Sequence, residues 1–250
     1  MTPGLAGSLS LVIPAHNEAL NLGPLLKRCL ATLPEFTPDF DIVLVDDGST
    51  DDTVVVARTA MGAQAARLTV VSHERKSGYG LTVADGLRAA RGRYVGFMDG
   101  DGQFDPADLG LLAARLSDAD LVTGRRRRRA DPRYRLVIAG VFNILIRSLY
   151  GVRFRDVDCG MKLMRREVLD AAAPILARSA LLNTELYFKA AKNGFRVVQV
   201  PVSHYPRVAG VRSGARLIPI LRAIRDLVWL RLRLAQSWHP PGVPEAAPGS

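Results

Sequence analysis

An α/β fold with a mostly parallel sheet is predicted by three features of this 250-residue chain. Apolar runs of strand length alternate with helical patterns through the first half. These runs are continuously apolar, which is typical of parallel strands covered by helices on both faces. Polar clusters follow three of the runs directly. Because open parallel sheets bind ligands at the carboxyl ends of their strands, the clusters mark the predicted site.

The predicted elements begin in the order βαβαβαβ. A strand at 9–14 precedes a helix at 19–32, whose apolar residues recur at three- and four-residue spacings. The next elements are a strand at 42–47, a helix from 49 or 51 to about 61, a strand at 68–73, a helix at about 80–90 and a strand at 93–99. After a strand at 119–124 we expect a helix at about 134–149, a loop through 155–164, a helix around 183–192, a strand at 195–202 and a last helix at about 215–236.

Cysteine usage and hydropathy exclude several classes of protein. Cys29 and Cys159 are too few for a disulfide framework, and no His/Cys cluster has zinc spacing, so a reducing cytoplasm is expected. The first 18 residues lack a signal-peptide pattern. The longest uncharged segment of the second half, 136–146, is shorter than the roughly 20 residues that span a bilayer. We therefore expect neither secretion nor a transmembrane helix.

The net charge of +10 is concentrated in the second half of the chain. Up to Gly124, 10 Lys and Arg stand against 16 Asp and Glu, a net of −6; from Arg125 onward, 24 stand against 8, a net of +16. A basic half can meet nucleic acid, anionic lipid or a phosphorylated substrate. The arginine run at 125–129 has no interleaved aromatics and no recognised binding motif, so nucleic acid is not expected. We expect Arg125 to point into the cleft and 126–129 to face outward.

Two aspartates end the strand at 93–99, in the run VGFMDGDGQFDP. Asp99, Asp101 and Gln103 form an all-oxygen cluster suited to Mg²⁺ or Mn²⁺, which proteins hold through a few carboxylates together with substrate phosphates. A structural role as loop-capping Asx residues is the alternative.

The cluster VDDGSTDDT follows the second strand. Asp51 and Asp52 are expected to cap the next helix and complement its dipole. Asp46 and Asp47 still lie at the strand edge, where acidic side chains can accept hydrogen bonds from a base or ribose.

Two further segments flank the predicted cleft. In PAHNE, Pro14 and Asn17 suit a turn and Glu18 suits a first helical turn, so a structural role and a binding role both remain open. In KSGYG, Lys76 lies on a glycine-containing basic loop near the acidic cleft, although such a pattern is weak evidence for phosphate binding.

The last helix combines apolar residues and arginines and carries Trp229 near its end. Core packing explains part of this pattern, and an interfacial membrane helix has the same composition. We expect residues 216–236 to contact a membrane from its cytoplasmic face, and residues 237–250, rich in Pro and Gly, to be disordered.

Taken together, VIPAHNE, VDDGSTDDT, the stretch from KSGYG to DGDGQFDP, VTGR and DVDCGMKLMRREVL resemble family-2 glycosyltransferases of the GT-A fold. The chain is most similar to dolichol- and polyprenol-phosphate sugar synthases. The resemblance covers about residues 9–215 and implies a Rossmann-like GT-A domain at 1–215. It further implies inverting, Mg²⁺- or Mn²⁺-dependent transfer of a sugar from a nucleotide sugar, GDP-mannose or a UDP-sugar, to polyprenyl or dolichyl monophosphate.

The resemblance also implies roles for individual residues. The implied nucleotide-sugar ligands are Pro14, Asn17, Glu18, Asp46, Asp47, Lys76, Asp99, Arg125, Arg207, Arg212 and Ser213, with the metal on Asp99, Asp101 and Gln103 and catalytic roles for Asp101, Arg125 and Glu185. The segment HYPRVAGVRSG is similar to the family's mobile loop over the diphosphate but lacks its usual Lys.

The acceptor is less clearly implied. Relatives often carry an Arg three residues before the position of Asn143, where this chain has Gly140, so Arg133, Arg135 or Arg147 would have to hold the acceptor phosphate. Glu185 matches the base of hydroxyl-using relatives, and a hydroxyl acceptor is therefore one alternative. A second alternative is a non-catalytic basic protein that binds anionic lipid or nucleic acid. The sequence leaves the oligomeric state undetermined.

Overall fold

The computed structural model describes residues 4–127, 140, 144–151, 154–177, 179–207 and 217–237, with side chains in the last range described from 225 to 235. Seven strands in these ranges form one sheet: β1 Leu9–Ala15, β2 Phe40–Asp46, β3 Leu68–Ser72, β4 Tyr94–Met98, β5 Leu121–Arg126, β6 Met161–Arg165 and β7 Val197–Val202. The helices are α1 Ala19–Thr32, α2 Thr53–Met61, α3 Tyr79–Ala89, α4 Asp108–Arg115, α5 at 144–150, α6 Arg166–Ala172, α7 Leu182–Lys192 and α8 Leu217–Ser237.

The strand order is β3-β2-β1-β4-β6-β5-β7. β1 pairs in parallel with β2 and β4, and β2 pairs in parallel with β3. β6 is antiparallel to both of its neighbours, β4 and β5, while β5 and β7 are parallel. The predicted mostly parallel sheet is confirmed, and the carboxyl ends of β1, β2 and β4 meet at one edge.

Both faces of the sheet are covered because its central strands are apolar on both sides. Leu11 and Ile13 belong to the core cluster that includes α1, whereas Val12 between them belongs to the cluster that includes α3, α7 and α8. This alternation follows from the two-residue period of a strand. The predicted helix at 19–32 has the observed bounds of α1, and the other predicted boundaries in the first half agree to within a few residues.

The predicted loop at 155–164 is wrong for its second part, which forms β6. Lys162 interrupts the apolar run and conceals the strand, although its side chain is fully buried. Its Nζ donates to the carbonyl of Cys159 and lies 4.7 Å from the ring centroid of Phe97 and 5.3 Å from that of Tyr187. The carbonyl and the two aromatic faces replace part of the hydration that the ammonium loses. Two further helices, α4 and α6, were not predicted.

The helices of the basic half pack against the sheet and each other. The Tyr150 hydroxyl at the end of α5 donates to the Leu227 carbonyl on α8 at 2.6 Å, and Arg231 Nε donates to the Leu149 carbonyl at 2.9 Å. Of the helix predicted at 134–149, the described residues 144–149 are helical. None of the described helices is both long and apolar enough to cross a bilayer. The predicted disordered tail lies, from residue 238, outside the described residues.

Candidate active site

A cleft of about 350 Å³ opens at the carboxyl ends of β1, β2 and β4. It therefore lies where an open parallel sheet binds ligands. Its walls combine acidic, basic and aromatic side chains with backbone from the β1 turn: Pro14, Ala15, His16, Glu18, Asp47, Lys76, Tyr79, Thr82, Asp99, Gly100, Asp101 and Arg207.

Asp99 is fixed in the floor of this cleft by the segment before β6. Its backbone N–H donates to the carbonyl of Gly160 at 3.1 Å, and the Tyr79 hydroxyl donates to its Oδ1 at 3.1 Å. A Cβ atom at position 160 would come within 1.9 Å of Asp99 Oδ2. Only glycine at position 160 therefore leaves room for the carboxylate.

The pair Asp99 and Asp101 has the electrostatics of a cation site. Burial and the neighbouring charge of Asp101 raise the pKa of Asp99 to about 7, against opposing effects of the Tyr79 hydrogen bond and the Lys162 and Arg126 charges. A divalent cation would relieve this repulsion. Within the described residues no group of three or more His, Cys, Asp or Glu could hold a metal. Two carboxylates completed by substrate phosphates are, however, the usual donor set for Mg²⁺, so the residues fit such an ion.

Gln103, predicted as a third metal ligand, is not among the residues that line the cleft. Its Nε2 donates to the Tyr205 carbonyl at 2.8 Å, and the Tyr205 N–H donates to the Gln103 carbonyl at 2.8 Å. These two hydrogen bonds fasten the chain after β7 to the loop that carries Asp101. Gln103 therefore helps to place Arg207, two residues beyond Tyr205.

Arg207 lies inside the cleft. Its guanidinium forms an ion pair with Glu18 through Nη2, and its Nη1 lies 3.9 Å from Asp101 Oδ2. Glu18 also accepts a hydrogen bond from Asn21 Nδ2 at 2.7 Å. A cation thus stands between two carboxylates inside the cleft.

The turn after β1 depends on Asn17, which has a φ of +56°. Its Oδ1 accepts from the Thr50 N–H at 2.8 Å, and its own N–H donates to Ser49 Oγ at 2.9 Å. Asn17 thus joins the turn to the β2 loop and is not a lining residue, whereas Pro14 and His16 line the cleft. His16 Nδ1 lies 2.8 Å from the Asp47 carbonyl oxygen, a contact that the sequence analysis missed.

The two aspartates that follow β2 differ in placement. Asp46 is buried, caps its own turn by accepting from the Ser49 N–H at 3.1 Å, and is not among the lining residues. Asp47 lines the cleft and accepts from the backbone N–H groups of Ser77 at 2.6 Å and Gly78 at 3.0 Å. This fastens the basic loop that carries Lys76, whose exposed side chain reaches the cleft.

A histidine completes the support of this loop. His73 Nδ1 lies 2.9 Å from Asp47 Oδ1, and its Nε2 lies 3.1 Å from Asp85 Oδ2. Partial burial lowers the pKa of His73, but the two aspartates outweigh it and raise this pKa above its usual value. Burial raises the pKa of Asp47, but the hydrogen bonds from His73, Ser77 and Gly78 more than offset this effect. The pKa of Asp47 is therefore lowered.

At the end of β5 the orientation predicted for the arginine run is partly wrong. The strand continues through Arg126, so Arg125 and Arg126 point to opposite faces. Arg126 turns inward and forms a bidentate ion pair with Asp156, with Nε and Nη2 at 2.8 and 2.7 Å from the carboxylate oxygens. Arg125 is half-buried and does not line the cleft. Arg147 is exposed on α5, and Arg133, Arg135, Arg212 and Ser213 lie outside the described residues.

Comparison with known proteins assigns this arrangement to a family. The model of Glycosyl transferase family 2 matches residues 10–172, which contain all the acidic residues of the cleft. The chain belongs to glycosyltransferase family 2. The chain is 31% identical over 223 residues to a dodecaprenyl-phosphate galacturonate synthase of Rhizobium johnstonii. The aligned region covers 88% of this chain and 65% of that protein.

A second relative and a solved structure are also similar to this chain. An undecaprenyl-phosphate 4-deoxy-4-formamido-L-arabinose transferase of Aeromonas hydrophila is 28% identical, covering 88% of this chain and 66% of its own length. The chain thus spans about two thirds of the length of these relatives. Neither relative is named as a mannose transferase. A glucosyl-3-phosphoglycerate synthase of Mycobacterium tuberculosis, crystallised with Mn²⁺, uridine diphosphate and phosphoglyceric acid, has the same fold: TM-score 0.66, 20% identity, 95% of this chain and 81% of that chain.

Glu185 is placed differently from the prediction for this family member. Its side chain is fully buried on α7 and pairs with Lys189 at 2.7 Å. Its two oxygens accept from the backbone N–H groups of Leu176, at 2.9 and 3.0 Å, and Ala177, at 2.7 Å. The expectation that Glu185 faces an acceptor as its base is therefore wrong: the carboxylate is enclosed by the loop that it holds.

Proposed function

We propose that this protein transfers a sugar from a nucleotide sugar to a polyprenyl monophosphate, with inversion at the anomeric carbon. The observation that carries the proposal is the cleft at the carboxyl ends of three parallel strands, which Asp99, Asp101 and Arg207 line and in which Arg207 lies 3.9 Å from Asp101. Acidic and basic groups side by side suit a diphosphate bound together with a divalent cation. The relatives that act on polyprenyl phosphates support the choice of acceptor.

The cleft offers a separate surface to each part of the donor. The β1 turn, with Pro14 and His16, and the Asp47 region would hold the nucleoside. Lys76 and Arg207 would contact the diphosphate, and binding there would replace the ion pair that Arg207 now makes with Glu18. GDP-mannose and UDP-sugars are the candidate donors, with a uronic acid or a modified pentose suggested by the names of the relatives.

Asp99 and Asp101 are the residues that would hold Mg²⁺ or Mn²⁺. Such an ion would supply charge stabilisation for the nucleoside diphosphate that leaves. Around it, Tyr79 and Gly160 keep the Asp99 carboxylate in place. Arg207 adds a preorganised positive charge where negative charge develops.

A phosphate acceptor needs no general base. Its second pKa is about 6, so near neutral pH the phosphate is already ionised and one oxygen can attack the anomeric carbon. As the new C–O bond forms, the bond from that carbon to the nucleoside diphosphate breaks, and the electron pair leaves with the diphosphate. The burial of Glu185 supports this chemistry over the alternative of a hydroxyl acceptor with Glu185 as its base. A non-catalytic lipid- or nucleic-acid-binding protein would have no use for the acidic cleft.

Contact with a membrane surface is part of the proposal. On α8 the side chains of Val228, Trp229 and Leu232 are 46, 45 and 58% exposed, and Arg225 and Arg233 are exposed on the same helix. Apolar and basic groups on the exposed face of one helix suit the interface of an anionic bilayer. This helix would bring the cleft to a lipid acceptor from the cytoplasmic face.

A donor screen tests the proposal. Radiolabelled GDP-mannose and UDP-sugars are incubated with Mn²⁺ and a short polyprenyl phosphate, and butanol-extractable label is counted. We expect one donor to yield labelled lipid, and Asp101→Asn to lower the rate by about 100-fold or more. Asp105→Asn is the matched control, because Asp105 pairs with Arg28 at 2.7 Å and does not line the cleft. Equal rates for both variants, or labelled lipid from no donor, would contradict the proposal.

A further inference from the structure

Arg207 lies between two carboxylates of the acidic cleft, and one of them is a predicted metal ligand. Its Nη2 pairs with Glu18, and its Nη1 lies 3.9 Å from Asp101 Oδ2. Glu18 is buried and also accepts a hydrogen bond from Asn21 Nδ2 at 2.7 Å. A divalent cation on Asp101 would therefore have to bind beside the guanidinium or displace it.

The backbone that carries Arg207 is fastened close to Asp101. We call residues 203–207 the strap. The Ser203 N–H donates to Asp108 Oδ2 at 2.5 Å, and Gln103 forms two hydrogen bonds with the strap. Because these contacts fix the backbone, the guanidinium has a high effective concentration beside the carboxylates. The arginine side chain itself has several rotatable bonds, so it can turn to another anion while the strap stays in place.

A second cation acts on the same pair of aspartates from inside the core. The Lys162 charge favours the ionised form of Asp99, and the lysine side chain is fully buried against the Cys159 carbonyl and two aromatic rings. This ammonium has no path to a ligand, whereas Arg207 lines the cleft. Of these two cations, only Arg207 can exchange its carboxylates for the oxygens of a diphosphate, which accept a guanidinium in bidentate geometry.

We infer that Arg207 competes with the divalent cation for Asp101, and that the donor diphosphate ends this competition by drawing the guanidinium to its own oxygens. The nucleotide then removes the competitor of the cation, and by linkage the cation strengthens nucleotide binding by the same factor. This inference rests on the proposed function and deepens it. The site takes up free cation weakly and binds cation and donor together.

Titration of the nucleotide-free protein with Mn²⁺ tests the inference, with free Mn²⁺ measured by electron paramagnetic resonance. Arg207→Met should raise the Mn²⁺ affinity by about fivefold or more, because a positive charge beside the cation is removed. Arg207→Lys keeps the charge, and its affinity should stay closer to that of the wild type than to that of Arg207→Met. The lysine variant thus separates competition by charge from any change in folding.

Lys76→Met is the matched control. Lys76 also lines the cleft, but its side chain is exposed on the loop before α3. Since solvent screens an exposed charge, this variant should change the Mn²⁺ affinity of the nucleotide-free protein by less than about twofold. Equal Mn²⁺ affinities of Arg207→Met and the wild type, equal gains in Arg207→Met and Lys76→Met, or no Mn²⁺ binding by any of these proteins would overturn the inference.

The same titration with a saturating nucleoside diphosphate, uridine or guanosine, measures the coupling. The nucleotide that binds should raise the Mn²⁺ affinity of the wild type by about tenfold, and that of Arg207→Met by less. A coupling that is as large in Arg207→Met as in the wild type would contradict the inference. Because no sugar is transferred in these titrations, Arg207-dependent Mn²⁺ binding in a protein without transferase activity would count against the proposed function alone.

Discussion

Asp47 and Glu185 use the same hydrogen-bond pattern in two different regions of the molecule. Each carboxylate accepts the N–H groups of two consecutive residues and holds a loop, at 77–78 for Asp47 and at 176–177 for Glu185. Each also has a basic partner, His73 or Lys189. Asp47 lines an open cleft, whereas Glu185 is sealed inside the core.

The difference shows what solvent access adds to a carboxylate that holds a loop through two backbone N–H groups. A carboxylate at a strand end can hold a loop and still meet a ligand, because one side of it faces the cleft. A carboxylate enclosed with a lysine can only hold the loop, since its remaining hydrogen-bonding capacity is used by Lys189. Removing a charge should therefore cost more stability at Glu185 and more function at Asp47.

The largest effect on stability is expected from Glu185→Gln. The substitution leaves the Lys189 ammonium buried without its carboxylate and should lower the free energy of unfolding by about 3–5 kcal/mol. Urea denaturation measures this change. The double variant Glu185→Gln/Lys189→Met removes both charges and should recover part of the loss. A single variant as stable as the wild type would show that the pair does not brace the fold.

Asp47→Asn should have a smaller effect on stability and a larger one on donor binding. Replacing a charged acceptor of two backbone hydrogen bonds costs about 1.5–3 kcal/mol. Release of the loop that carries Lys76 should also raise the KM for the donor, which steady-state kinetics measures. Asp46→Asn serves as the control, because Asp46 lies outside the cleft lining. An equal rise in KM for both variants would show that Asp47 contributes no more to donor binding than Asp46 does.

The smallest effect is expected from His73→Gln, and it should depend on pH. The folded-state pKa of His73 is raised by Asp47 and Asp85 against an opposing effect of burial, so its stabilising contribution is fully present below about 6.5 and is lost as pH rises through the raised value. The wild type should therefore exceed His73→Gln by about 1 kcal/mol at acidic pH and by less at alkaline pH. Urea denaturation across that pH range measures the difference in unfolding free energy between the two proteins. A difference that grows as pH rises would contradict the raised folded-state pKa of His73.

The same comparison explains how far the sequence could predict the molecule. Polar clusters directly after apolar strands indicated that Asp47, Asp99 and Asp101 lie at one edge, and all three line the same cleft, because the carboxyl ends of parallel strands share one edge. Lys162 concealed β6, since a buried lysine that is satisfied by a carbonyl and two rings cannot be distinguished in sequence from a loop lysine. The motif that contains Glu185 could not show that this side chain is buried, because burial depends on packing and not on the motif.

Long-range contacts account for the remaining differences. Arg126 turns inward because Asp156, thirty residues later in the chain, provides a bidentate partner. His73 reaches Asp47 and Asp85 through the packing of the loop onto the sheet edge. Neither pair is visible as a local pattern, so neither could have been selected among the many charged residues of the chain.

Nucleotide binding measured with and without Mn²⁺ tests most directly whether Asp99 and Asp101 bind a donor diphosphate through a shared cation. Calorimetry of the metal-free protein with uridine and guanosine diphosphates should detect little binding. Addition of Mn²⁺ should tighten the binding of one nucleotide by about tenfold or more, and Asp101→Ala should abolish that gain. Nucleotide binding that Mn²⁺ leaves unchanged, or a gain that persists in Asp101→Ala, would contradict the account.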